Sequence, residues 1–353
     1  MQWRCPANGG VWHPLPRYVW DALEARLRVD EQVRKAVVFV GAETPGGFMT
    51  YGTGLIGLVI FKDDDGTEWA NTIIVTAHHV VGDVSGETVS VRVNRKDGSA
   101  DALRVQKNWG ITFRDRALDL CVFPLQLDPT IYDFFAIRMS SESWRQRLAE
   151  LGDPEPGDEI CVVGLYTSHY GHVRNMPVAR IGHIAALPEE KVATHRGHIH
   201  AYLVECQSIA GLSGSPVFWT VPRFKIENDQ VLQQRAHFPL GILTGYHVVE
   251  SSQDEMVVPK FQQGPESDLA ELPASLAPKQ EERRTGFAVV VPINHVFEIF
   301  ESEEIMAILK KGANATRNRT GYRPASAGPV EVNHPASDVQ SLPNAAVRKP
   351  ARD

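Results

Sequence analysis

Basic excess, paired cysteines and long apolar runs are all scarce in this sequence, and each shortage excludes something. Lys and Arg number 36 against 43 Asp and Glu, a formal net charge of -7. A protein whose main business is a phosphate backbone needs a basic patch, so nucleic acid is not an expected partner. The four cysteines, Cys5, Cys121, Cys161 and Cys206, lie far apart with no Cys-x-x-Cys pair. That spacing fits buried free thiols in a reducing compartment better than a disulfide scaffold. No stretch has eighteen consecutive apolar residues, so no membrane-spanning helix is expected. The opening MQWRCPANGGVWHPLPRYVW lacks the basic-then-apolar order of a secretory leader. The expectation is therefore a cytoplasmic protein with no membrane partner. No internal repeat stands out.

What is present is a globular mixture, 43% hydrophobic and 22% charged over 353 residues, long enough to bury a large core. Residues 1–34 read as an N-terminal helical extension, because Trp20, Leu23 and Leu27 recur at helical spacing. From residue 35 to 130 the texture is short β-rich runs, KAVVFVG, GTGLIGLVIF, TEWANTIIVTA, TVSVRVN and ALDLCVFPL, broken by turn residues such as Asp63-Asp64-Asp65-Gly66. Residues 131–155 turn partly helical and read as a linker. A second β-rich set, 156–312, ends in the helix HVFEIFESEEIMAILKKG, with 250–284 as a polar, proline-containing insertion. Residues 313–353 read as a disordered tail. Many short strands without intervening helices predict a mainly β protein of barrels or sandwiches, not a parallel α/β sheet.

Three stretches bear on chemistry. In IAGLSGSPVF, Ser213 sits between small residues, which alone is ordinary turn chemistry. A serine becomes a nucleophile only beside a base, and the base needs a partner that fixes its tautomer. In IIVTAHHVVG a β-branched strand ends in His78 and His79, where a ring is either a satisfied core residue or a general base. In RALDLCVFPL, Asp119 stands within an apolar strand, and a buried carboxylate requires a hydrogen-bonding or cationic partner; an exposed strand edge is the other reading. Among His195, His198 and His200 two rings could share a strand face, but no third or fourth ligand is evident, so neither a metal nor another cofactor is expected.

The order His, Asp, Ser differs from the Ser, Asp, His order of α/β-hydrolases, and Ser215 stands where Gly-x-Ser-x-Gly requires glycine. VTAHHVV, ALDLCVFPL and GLSGSPVF together resemble the active-site blocks of the chymotrypsin-like (trypsin-fold) serine peptidases, most of all the HtrA/Do-like branch without its PDZ domain. GTGLIGLVI, PGDEICVVGLY, LGILTG and TGFAVVVPINHV add to the likeness, which spans about residues 35–300 apart from the insertion. The resemblance implies two six-stranded antiparallel β-barrels with an N-terminal and a C-terminal helix. It implies His79 as base, Asp119 as orienting carboxylate and Ser213 as nucleophile, with the N–H groups of Gly211 and Ser213 as the oxyanion hole. His78 occupies a position where the family usually has a small or amide residue. Thr244, Gly245 and Tyr246 match the strand that pairs with substrate, and Gln207 matches the base of the specificity pocket, where a neutral amide argues against a Lys or Arg preference.

Leu212 replaces the acid or amide usual before the serine, which argues against activation by N-terminal cleavage, and Ser215 replaces the usual second glycine. The expected activity is peptide hydrolysis through an acyl-enzyme, with protein or peptide as substrate. The departures leave a second reading open, a latent peptidase-fold interaction module. The insertion reads either as a lid that a regulatory protein partner displaces or as a passive loop.

Overall fold

Turn chemistry and side-chain alternation set the first sheet. In the computed structural model, which describes residues 29–112, 116–194, 196–206, 211–227, 230–249, 283–303 and 305–311, a short helix α1 (Glu31–Lys35) is capped by the Asp30 carboxylate. It leads into β1 (Val37–Thr44), β2 (Gly47–Lys62) and β3 (Glu68–Ala77). Asp63 fixes the β2–β3 turn by accepting the N–H groups of Asp65 and Thr67, each at 3.0 Å, and the Trp69 indole N–H at 2.7 Å. A second helix, α2 (His78–Gly82), follows β3 at once, and then come β4 (Thr88–Asn94), β5 (Ala100–Gln106), β6 (Ile111–Thr112), β7 (Leu120–Pro124) and β8 (Ile137–Arg138). Successive strand residues point to opposite faces. Val38, Val40, Ile56 and Ile74 therefore fill the interior of this sheet, while Phe39, Leu55, Ile73 and Val75 join the larger core shared with the second half. Burial on both faces explains why IIV reads as a continuous apolar run.

Helix α3 (Ser141–Leu151), capped by the Ser140 hydroxyl, leads to the second half. Its strands are β9 (Glu159–Gly164), β10 (Val178–Ala186), β11 (Lys191–Thr194), β12 (Gly197–His200), β13 (Tyr202–Glu205), β14 (Pro216–Glu227), β15 (Gln230–Val249) and β16 (Arg283–Pro292). Six of them close into a barrel in the order β10-β13-β16-β15-β14-β9, and helix α4 (Asn294–Glu301) buries Val296, Phe297, Ile299 and Phe300 beneath it. The fold is thus mainly β, one closed six-stranded barrel beside one open sheet, with few helices.

Three features differ from the sequence reading. The first half is an open sheet, β5-β4-β1-β2-β3-β7-β6, with β8 added parallel to β2. Its two edge strands are consecutive in the chain, joined by the 3-10 turn Lys107–Trp109, so covalent continuity rather than a hydrogen-bonded ladder connects them. HIHAYLVE is two strands, because β12 leaves the barrel to pair with β11 alone. Asp119 is not inside its strand: β7 begins one residue later, after the 3-10 turn Arg116–Leu118. Most of the expected N-terminal helix, the greater part of the 250–284 insertion and the 313–353 tail fall outside the described residues.

A buried polar clamp ties the β9–β10 connection to the first sheet. Arg92 of β4 donates to Gly171 O at 2.9 Å, His172 O at 2.7 Å and Asn175 Oδ1 at 2.9 Å, and Asn175 Nδ2 returns a bond to Arg92 O at 2.6 Å. Burial holds the Arg92 guanidinium below its usual range. Removing a partner strands buried polar groups. Asn175→Ala is expected to lower unfolding free energy by about 2–3 kcal/mol, read from denaturant titration; a change within 0.5 kcal/mol, roughly the level of an ordinary surface substitution, would show that the clamp is not stabilising.

Candidate active site

The antiparallel register of β3 and β7 pairs Ala77 with Leu120, which sets Asp119 opposite the first residues of α2. Asp119 has φ 55°, the left-handed region that few residues other than glycine, asparagine and aspartate tolerate. That turn folds the residue back on α2. Its carbonyl accepts the His78 N–H at 2.7 Å, Oδ1 accepts the His79 N–H at 3.0 Å, and Oδ2 lies 2.5 Å from His79 Nδ1. A carboxylate can only accept here, so Nδ1 carries the proton and Nε2 is left as the basic nitrogen. Asp119 is 3% exposed and the His79 side chain 22%. It is the His79 ring, not that of His78, that meets the carboxylate.

The serine loop is held by backbone hydrogen bonds to both halves. Ser213 O accepts from Thr53 N of β2 at 2.9 Å, Gly214 N donates to Leu243 O at 2.8 Å, and Ser215 N donates to Leu212 O at 2.9 Å. Thr53 Oγ1 donates to Gly211 O and accepts from Leu165 N, both at 2.9 Å. Gly214 has φ 81°, and a Cβ there would fall 2.1 Å from Thr53 O and 2.4 Å from Thr76 Oγ1, so glycine is required twice over. The same Cβ position lies 3.1 Å from Ala77 N, so the loop abuts the residue before α2. Among the described residues no hydrogen bond joins Ser213 Oγ to His79 Nε2, and the N–H groups of Gly211 and Ser213 have no acceptor. Leu212 is fully buried.

Thr244, Gly245 and Tyr246 follow the point where β14 leaves β15; the last β14 pair is Pro216 with Ile242, and beyond it Gly245 and Tyr246 pair with Val289 and Ala288 of β16. They share a crevice of only about 10 Å³ with Ala117, Asp119, Thr194 and Arg196. The structure thus brings the expected substrate strand beside the carboxylate. Gln207 lies outside the described residues. Arg196 belongs to this site and was not among the residues picked from sequence: its Nη1 sits 3.2 Å from Asp119 Oδ1. An arginine next to glycine in THRGHIH is the trace it leaves, and only the fold supplies its partner. A cavity of about 330 Å³ lined by Arg138, Trp144, Arg147, Arg235 and His237 includes none of His79, Asp119 and Ser213. Among the described residues no cluster of His, Cys, Asp or Glu fits a metal, and His195 lies outside them. No helix among them is long and apolar enough to cross a membrane.

Residues 52–220 match the family model described as the trypsin-like peptidase domain. His79, Asp119 and Ser213 lie within the match, and Thr244–Tyr246 beyond it. No curated protein sequence matches the chain. Among solved structures it is similar to the protease domain of MamO from Magnetospirillum magneticum in its apo form (18% identity, 59% of this chain and 94% of that one, TM-score 0.36). It is also similar to the human heparin binding protein (10% identity, 84% and 98%, TM-score 0.38) and to an inactivated protease paralogue of the scabies mite (14% identity, 77% and 93%, TM-score 0.39).

Two outcomes follow from this geometry. Gly214→Ala is expected to destabilise the fold by about 2–4 kcal/mol through backbone strain and overlap, measured by denaturant titration, with an unchanged midpoint counting against the close approach. Burial pushes the Cys121 and Cys161 thiols up to about 12 and raises Cys206 as well. At pH 8 a thiol at about 12 is roughly one part in ten thousand thiolate. Iodoacetamide on the native protein should leave all three unmodified in a peptide map, and labelling of Cys206 would show an accessible thiol.

Proposed function

We propose that this chain is a serine endopeptidase that hydrolyses peptide bonds through an acyl-enzyme. The trypsin-like peptidase domain supports protease activity in general, and hence protein substrates. The observation that carries the finer reading is the 2.5 Å contact between His79 Nδ1 and the buried Asp119 carboxylate, with the serine loop tied to β2 beside it.

In the proposed reaction His79 Nε2 removes the Ser213 hydroxyl proton as Oγ adds to the scissile carbonyl carbon. Negative charge then collects on the carbonyl oxygen, where the unpartnered N–H groups of Gly211 and Ser213 would receive it. His79 passes its proton to the leaving amine as the C–N bond breaks. Water attacks the ester by the same route in reverse roles, releasing the acid and restoring Ser213. Asp119 fixes the tautomer throughout and steadies the imidazolium. Substrate backbone would pair with Thr244–Tyr246 past the end of β14. We further assign the chain to the HtrA/Do-like branch on its motif blocks and to a reducing, cytoplasmic setting, which suits free thiols at Cys121, Cys161 and Cys206.

A second reading, a latent peptidase-fold interaction module, is favoured by one observation: among the described residues Ser213 and His79 share no hydrogen bond. Unliganded sites often have loose catalytic hydrogen bonds that tighten with substrate, so the first reading is preferred. A fluorophosphonate probe separates them. It should label Ser213 in the native protein, fail on Ser213→Ala, and slow by about 10²–10⁴-fold on His79→Ala. Native protein that is never labelled and cleaves no member of a peptide library would establish the latent module instead.

A further inference from the structure

β11 and β12 form a two-stranded ribbon outside the closed barrel. Its tip has a fixed shape. Thr194 Oγ1 donates to Gly197 O at 2.8 Å and accepts the Arg196 N–H at 3.2 Å. Gly197 holds φ 132°, and a Cβ there would stand 3.4 Å from Ala117 Cβ, so the tip rests on the 3-10 turn that runs into Asp119. From that seat Arg196 Nη1 reaches Asp119 Oδ1 at 3.2 Å, with the arginine side chain 30% exposed. The same oxygen accepts the His79 N–H, and the other holds His79 Nδ1. Thr194 and Ile199 of the ribbon also line the crevice with Thr244, Gly245 and Tyr246.

A carboxylate this buried needs both hydrogen bonds and an opposing charge, and a neutral imidazole supplies only the first. The guanidinium does so from the Oδ1 side, leaving Oδ2 to the ring. Resting on the peptidase reading above, we infer that Arg196 is a positioning residue: it holds Asp119 turned toward His79 and makes the order of the site depend on the β11–β12 ribbon. Two effects of the cation oppose each other. It withdraws some of the negative field that steadies the imidazolium, but its partial exposure screens that influence. Its loss leaves a buried carboxylate on a φ 55° backbone with only the two His79 hydrogen bonds and no opposing charge, and so held less firmly toward the ring. The second effect dominates, so removal lowers activity.

The test uses the full chain and the variants Arg196→Ala and Arg196→Lys, each first shown by thermal melting to be folded. Arg196→Ala is expected to lower kcat about tenfold with KM within about twofold of wild type, a fraction of the whole general-base contribution. Arg196→Lys, which keeps the charge but not the fork, should restore most of the loss. A readout independent of turnover is the downfield proton resonance of the His79 Nδ1–H, identified by its disappearance in His79→Ala. It should be present in wild type and Arg196→Lys, and be shifted or lost through exchange in Arg196→Ala. An unshifted resonance in Arg196→Ala, no such resonance in wild type, or a change in KM alone would each overturn the inference. A resonance that moves in a protein that cleaves no peptide would overturn the peptidase reading and leave the role of Arg196 standing.

Discussion

Thr53 is fully buried near the middle of β2, and its polar atoms join the two halves of the molecule. Its N–H goes to Ser213 O, its hydroxyl to Gly211 O, and the hydroxyl in turn accepts Leu165 N–H; its carbonyl takes the Thr76 hydroxyl at 2.6 Å. Three of these four bonds cross from the first sheet to the second barrel. The apolar core between the halves is non-directional and would tolerate small slides. The three crossing hydrogen bonds, each 2.9 Å, would not. The serine loop therefore takes its position relative to the end of β3, and so relative to His79, from one threonine side chain and the strand that carries it. Gly52 and Gly214 permit the approach: a Cβ on Gly52 would lie 2.8 Å from Ser213 O.

Asp119 performs the corresponding task on the other side. Three donors converge on it from α2, and Arg196 arrives from the ribbon. The left-handed backbone conformation stores strain of about 1–3 kcal/mol, which persists only where surroundings over-determine it. Here the surroundings are visible: the β3–β7 register on one side and a compensated carboxylate on the other. Placing the residue just outside the strand gives the side chain freedom to face α2. An aspartate within the pleat would point either into the sheet interior or away from it, and neither direction meets both the His79 N–H and the His79 ring.

That detail marks the boundary of what sequence could supply. Strands were legible wherever alternation or a turn signal was strong, as at Asp63–Gly66 and in TVSVRVN. His79, Asp119 and Ser213 stood out as a set through motif order, and of these the fold brings the His79 ring onto the Asp119 carboxylate. The conformation of Asp119 was not, because an apolar run after the residue looks the same whether the strand begins one position earlier or later. Nor was the opening of the first sheet, since β6 has only two residues and a ladder that short has no pattern. Arg92 with Asn175 and Arg196 with Asp119 were invisible for a further reason. Each is a polar pair of high sequence separation, and a charged residue in a β-rich stretch reads as a solvated face until the fold brings its partner.

The substitutions around the serine are best understood as changes of packing that leave the polar stitching intact. Leu212 and Ser215 stand where the resemblance places a polar residue and a glycine. Leu212 goes into the core, against Gly164. Ser215 Oγ is buried without a hydrogen bond and occupies the space a Cβ on Gly164 would need, 1.9 Å away. A glycine lost from the loop is thus matched by one on β9, at the expense of an unsatisfied hydroxyl worth about 1–3 kcal/mol. The bonds that shape the loop, Ser215 N to Leu212 O, Leu243 N to Ser215 O and Gly214 N to Leu243 O, are all between backbone atoms. None of them uses a side-chain atom of residue 212 or 215. The departures at those two positions therefore fall on side chains packed around Ser213, while the hydrogen bonds that present it run between backbone atoms.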